Sequence, residues 1–207
     1  MGLLSLLIDQ PLVFILLSVP LLYSIVLHEL AHGWVANRMG DPTALRLGRL
    51  SLNPLKHIDP LGTLLLFVFG FGWAKPVPVD VRNFHEPRKG FILVSAAGIV
   101  ANTILAFFAL LALRLFSAID SDVLTAFLYV LAQVNLTLAA FNLIPIPPLD
   151  GSKILMGMAS GRLLAALVGL ERYGFIILVV LLYFDVLDPV IRLFRWGIWS
   201  LINVLLP

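Results

Sequence analysis

Between Pro11 and Asn37 the chain is apolar almost throughout. At 1.5 Å per residue, that stretch is long enough to cross the hydrocarbon layer of a bilayer as one helix. Comparable runs recur at 91–117, 123–144, 173–187 and 189–205. Hydrophobic residues make up 60% of the 207 and charged residues 13%, against about 45–50% and about 25% in soluble domains. A soluble fold of this size cannot hide so much apolar surface, so the sequence reads as a polytopic membrane protein. A net charge of +2 gives no electrostatic basis for binding nucleic acid. With no cysteine, neither a disulfide framework nor a thiolate metal site can form. No basic residue precedes the first apolar run, so the N-terminus reads as a retained anchor, not a cleaved signal.

The run 61–72, LGTLLLFVFGFG, is too short to cross and reads as a re-entrant element. Residues 44–52 alternate apolar with other residues, which predicts a strand. Residues 73–79 contain Lys75-Pro76-Val77-Pro78-Val79, an extended, edge-like piece. The expected fold is all-α and polytopic. It has about five transmembrane helices, one re-entrant element and short β-strands on the cytoplasmic side. Residues 1–207 form one membrane-embedded domain, with a core over about 11–155 and additional spans over 173–205. Most Lys and Arg fall on the face that holds 38–60, 73–90 and 145–172, while Arg114, Arg192 and Arg195 fall on the other. The positive-inside rule places the first face in the cytoplasm and the N-terminus outside.

Inside the first span lies His28-Glu29-Leu30-Ala31-His32. Histidines four apart project from one helical face, so two imidazoles can bind one zinc ion. Glu29 beside them can take a proton from a water that the metal activates. Three ionisable residues within five positions of a span mark a functional site. A catalytic zinc needs a third protein ligand, for which His57, His85 and a carboxylate are candidates. Asp150 is the best placed of these. It follows Pro145, Pro147 and Pro148, which forbid a regular helix, and irregular backbone at membrane depth is tolerated where it lines a wet cavity.

HELAH in a membrane span, followed by Asn142-Leu143-Ile144-Pro145-Ile146-Pro147-Pro148-Leu149-Asp150-Gly151, resembles the site-2 protease family of intramembrane zinc metalloproteases. Gly98-Ile99-Val100-Ala101-Asn102 is similar to a G-x-x-x-N pattern of that family, and residues 72–79 resemble its bacterial members. The likeness implies a compact, core-only member with one zinc per chain held by His28, His32 and Asp150. It implies Glu29 as general base and acid, and Asn142 on the substrate backbone or the developing oxyanion. A substrate helix must unwind before attack, and an edge at 44–52 or 73–79 could hold it extended. Asn102, Leu47 and Leu50 are then candidate substrate contacts. The expected partners are a transmembrane protein or peptide substrate and the lipid bilayer, with room for a homo-oligomer and no nucleic acid. The expected location is the plasma membrane of a prokaryote, with the active site toward the cytoplasm. The alternative is a non-catalytic membrane protein that binds or transports a metal.

Overall fold

A computed structural model describes residues 3–69, 72–116 and 119–206. The chain folds as α1 (Leu3–Asp9), α2 (Pro11–Arg38), α3 (Thr43–Arg46), α4 (Pro60–Phe69), α5 (Pro87–Leu115), α6 (Asp122–Asn142), α7 (Asp150–Met158), α8 (Gly161–Tyr183) and α9 (Asp188–Leu205). Proline opens several of these helices. Pro11, Pro87 and Pro189 occupy first-turn positions, where the missing N–H is not needed. Ser121 caps α6 by accepting from Leu124 N.

Four helices, α2, α5, α6 and α8, are long and apolar enough to cross a membrane. The protein is therefore an integral, multi-pass membrane protein. The expectation of five spans is corrected at the C-terminal end. The run 173–187 lies largely within a longer helix that already starts at Gly161. The run 189–205 forms α9, which carries Asp188, Arg192, Arg195, Trp199 and Asn203 down one side. Beside that stripe, Ile198, Ile202 and the following Leu206 pack on Ala106 of α5 and Leu136 of α6. With Asp188, Arg192 and Arg195 within its 18 residues, α9 is too charged to count among the spans, although Leu193, Leu201 and Val204 remain exposed along it. Helix α4 has ten residues, about 15 Å of rise, and is too short to cross. Residues 70 and 71, at the end of the run 61–72, lie outside the described residues.

The expected short strands are also absent among the described residues. The stretch 44–52 forms the single-turn helix α3 and then turns through Gly48 at φ +62°. Residues 75–80 form no strand; one antiparallel bridge joins Ile58 to Ala74, with Lys75 N donating to His57 O at 2.8 Å. The reason lies in the neighbouring segment. Pro76 and Pro78 lack an N–H and cannot supply a continuous ladder, so the alternating stretch finds no strand to pair with. Leu47 is left exposed on a turn, and Leu50 packs toward Gly33 of α2.

Helices α2, α5 and α6 pack together as the centre of the bundle. Small residues are buried along these helices, Gly90, Ala97, Gly98, Ala106 and Ala109 on α5 and Ala132, Ala139 and Ala140 on α6, and they let neighbouring groups approach closely: Gly98 lies against the His28 and His32 rings of α2. On α2 the buried residues include Ser24, His28, Gly33 and Ala36, while Leu12, Ile15, Val19 and Trp34 are exposed. The polar side thus faces protein and the apolar side faces outward.

Past the end of α2, Asp41 is fully buried and ties two loops to that helix. It accepts from Asp80 N at 2.7 Å, Asn83 Nδ2 at 2.8 Å and Thr43 N at 3.1 Å, and from the Thr43 hydroxyl. Burial pushes its carboxyl up, and these hydrogen bonds more than offset that push, leaving it below the ordinary carboxylate value. A lowered folded value means that this contribution is complete above the unfolded value of about 3.9 and is lost as pH falls through the folded one. Asp41→Ala should cost about 2 kcal/mol, because it orphans several donors at once. Thermal melts of the two proteins at pH 7 and in the acid limb check this: the gap should narrow on acidification.

Candidate metal centre

The site is built at the meeting of α2, α5 and the break between α6 and α7. His28 and His32 lie one turn apart on α2, with their rings edge to face at 4.7 Å. Helix α6 stops at Asn142 because Pro145, Pro147 and Pro148 follow. The chain then folds back so that Leu143 O and Ile144 O press on residue 151. A Cβ there would lie 2.3 Å and 2.7 Å from them, so only glycine fits. That return sets Asp150 as the first residue of α7 and aims it at the histidines.

The geometry is specific. His28 Nε2 and His32 Nε2 are 3.0 Å apart, and each lies 3.1 Å from Asp150 Oδ2. The edge of a tetrahedron around zinc, with ligand bonds near 2.0 Å, is about 3.3 Å. His28 Nδ1 donates to Asn102 Oδ1 at 2.8 Å, and His32 Nδ1 donates to Val94 O at 2.7 Å. With the protons fixed at Nδ1, both Nε2 atoms present lone pairs, and they converge on a carboxylate oxygen that has no hydrogen-bond partner among the described residues. Three electron pairs pointed at one another repel unless a cation lies between them. His28 is 7% exposed and Asp150 4%, so solvent does not relieve that repulsion. These three residues are the metal-competent group found among the described residues.

Gly98 of α5 makes room for the pair. A Cβ at residue 98 would come within 2.4 Å of His28 Cε1 and 2.6 Å of His32 Nε2. Gly98→Ala should push both rings from their convergence point and weaken binding of a divalent ion about tenfold or more, which is 1.4 kcal/mol. Competition with a chromophoric chelator measures this.

A cavity of about 400 Å³ opens on the group and is lined by Glu29, Asn142, Val77 and Lys153 among others. Glu29 is half-buried, and its Oε2 accepts from Val77 N at 2.7 Å. Asn142 is also half-buried, and one hydrogen of its Nδ2 goes to Leu138 O at 3.0 Å. Of the other histidines, His57 is 2% exposed and donates from Nε2 to Ser51 O in the loop before α4, while His85 stands against Gly40. Neither joins the group. Asn102 stands behind His28, and Leu47 and Leu50 do not line the cavity.

Several participants were not foreseen. Lys153 reaches Asp150 Oδ1 at 3.4 Å, and its spacing of three along a helix could have revealed it. The Val94 carbonyl and the Val77 amide are main-chain groups and leave no mark on residue type.

The model of peptidase family M50 matches residues 115–182. "Putative zinc metalloprotease YwhC" of Bacillus subtilis is 43% identical over 90% of this chain and 85% of its own length. "Putative zinc metalloprotease Rip2" of Mycolicibacterium smegmatis is 34% identical over 82% of this chain and 67% of its own. "Putative zinc metalloprotease MJ0611" of Methanocaldococcus jannaschii is 29% identical over 80% and 81%. No solved structure matches.

Proposed function

The chain belongs to peptidase family M50, the site-2 protease family of intramembrane zinc metalloproteases, and on that premise we propose that His28, His32 and Asp150 hold one zinc ion per chain, with Glu29 as general base and acid. The observation that carries this reading is the convergence of two Nε2 lone pairs and a carboxylate oxygen, with both Nδ1 protons already engaged.

When bound, zinc supplies a Lewis acid that polarises the scissile carbonyl and activates a water. The chain's own residues do the rest. Glu29 is steadied through Oε2 by the Val77 amide, which leaves Oε1 to take a proton and return it to the leaving nitrogen. Asn142 keeps one amide hydrogen on Leu138 O and offers the second to the substrate backbone or the developing oxyanion. The half-enclosed cavity limits water at the scissile bond.

Family membership implies membrane-embedded protein substrates. The cluster Arg38, Arg46, Arg49, Lys56, Lys75, Arg82, Arg88 and Lys89, from the last residue of α2 to the first turn of α5, supports a cytoplasmic position for that segment. The N-terminus then lies outside, the active site opens toward the cytoplasm, and the membrane is a prokaryotic plasma membrane. The described spans act as one domain. Metal analysis of the purified protein tests the assignment: one zinc equivalent per chain is expected, and a metal-free protein that still cleaves substrate would refute it.

A further inference from the structure

Two amide side chains behind the metal group carry polar atoms that the proposed chemistry leaves unused. Asn102 on α5 and Asn135 on α6 are both fully buried. Asn135 Nδ2 donates to Ser24 Oγ and to Leu131 O, each at 2.8 Å. Its Oδ1 has no partner among the described residues. Asn102 Oδ1 accepts from His28, and Asn102 Nδ2 has no partner among the described residues. One orphan is an acceptor and the other a donor. Their anchors on α2, Ser24 and His28, are four residues apart on one face, about 6 Å along the axis. The two amides therefore flank one stripe of α2 from two helices that pack on it and on each other. Ser24, Asn102 and Asn135 are not among the residues lining the catalytic cavity.

In the hydrocarbon layer an unpaired amide group is costly, and no bulk water relieves it. Both hydrogens of Asn135 are committed, so its free atom must accept. The free atom of Asn102 must donate. A single water between them would satisfy both, giving a proton to one and a lone pair to the other. We propose that Asn135 and Ser24 are positioning residues for His28, acting through a buried water that bridges Asn135 Oδ1 to Asn102 Nδ2. The bridge supplies Asn102 Nδ2 with an acceptor in the orientation that turns Oδ1 toward His28. In the flipped orientation Asn102 presents a donor to His28 Nδ1, the imidazole proton moves to Nε2, and the lone pair aimed at the metal is gone.

The inference rests on His28 being a metal ligand, and the experiment separates the two claims. Zinc affinity is measured by chelator competition on the full chain for wild type, His28→Ala, Asn135→Leu and Ser24→Ala, with thermal melts of each metal-free protein. His28→Ala should lose zinc; if it does not, the ligand assignment fails. Outer-shell partners of metal ligands typically matter 10- to 100-fold, and Asn135 is two hydrogen bonds further out, through the water and Asn102, so Asn135→Leu should bind more weakly by about tenfold, the low end of that range. Its metal-free melting point should fall by several degrees, because Ser24 and the water lose a partner, so the zinc affinity and the His28 tautomer carry the test. Ser24→Ala removes one hydroxyl and should show a smaller loss in the same direction, which keeps the test open should Asn135→Leu not fold. Nitrogen-15 spectra of His28 should show the Nδ1–H form in wild type and a tautomer mixture in Asn135→Leu. Unchanged zinc affinity and an unchanged tautomer in the variants, with His28→Ala zinc-free, would overturn the proposal.

Discussion

Glu29→Gln should keep its zinc and lose proteolysis, with kcat/KM falling by roughly 10³. The ligand atoms are His28 Nε2, His32 Nε2 and Asp150 Oδ2, and none belongs to residue 29. Glutamine is nearly isosteric, and its amide oxygen can still accept from Val77 N, so the local fold has no cause to move. What disappears is a group able to hold a proton between the activated water and the departing nitrogen. Zinc content and cleavage of a membrane-embedded substrate, measured on one preparation, decide the matter. Retained cleavage would exclude the assigned base. The result also separates a protease from a metal carrier. A carrier needs ligands along a path, and the other histidines, His57 and His85, lie outside the spans.

Asp150→Ala is the second large effect. It removes one of three protein ligands and leaves two imidazoles that share a single helical turn. Zinc affinity should fall by more than the roughly 100-fold that outer-shell changes produce, and cleavage at low free zinc should fail with it. Excess zinc should not restore full activity, because the ion regains neither its charge partner nor its tetrahedral geometry. Titration of the variant with zinc under a chelator buffer is the measurement. Equal affinity in Asp150→Ala and wild type would return the third position to the other candidates.

Much of this site was legible because its chemistry follows helical spacing and proline placement. HELAH carries its own geometry. Pro145, Pro147 and Pro148 announce a break at membrane depth, and Asp150 stands just beyond it. Two other features misled. The alternation at 44–52 has the period of a strand, but a strand needs a neighbour, and Pro76 and Pro78 had already removed the nearest one. The apolar run at 189–205 suggests a span, yet Asp188, Arg192 and Arg195 place three charges in an 18-residue helix, too many for a hydrocarbon crossing. Asn102 is a candidate substrate contact on sequence, and in the structure it bonds a histidine. Its partner, His28, lies 74 residues away in sequence, and no local pattern encodes that pairing.

His28 and His32 are oriented by unlike means, one by a side-chain amide and the other by a peptide oxygen within α5. This sets how the centre can decay through genetic drift. A single codon change at 102 erases the support of His28. No ordinary replacement at 94 erases that of His32, since every amino acid brings the same carbonyl and only a shift of the helix could carry it away. The two halves of the centre are therefore unequally mutable, and its heritable weak point lies on the His28 side.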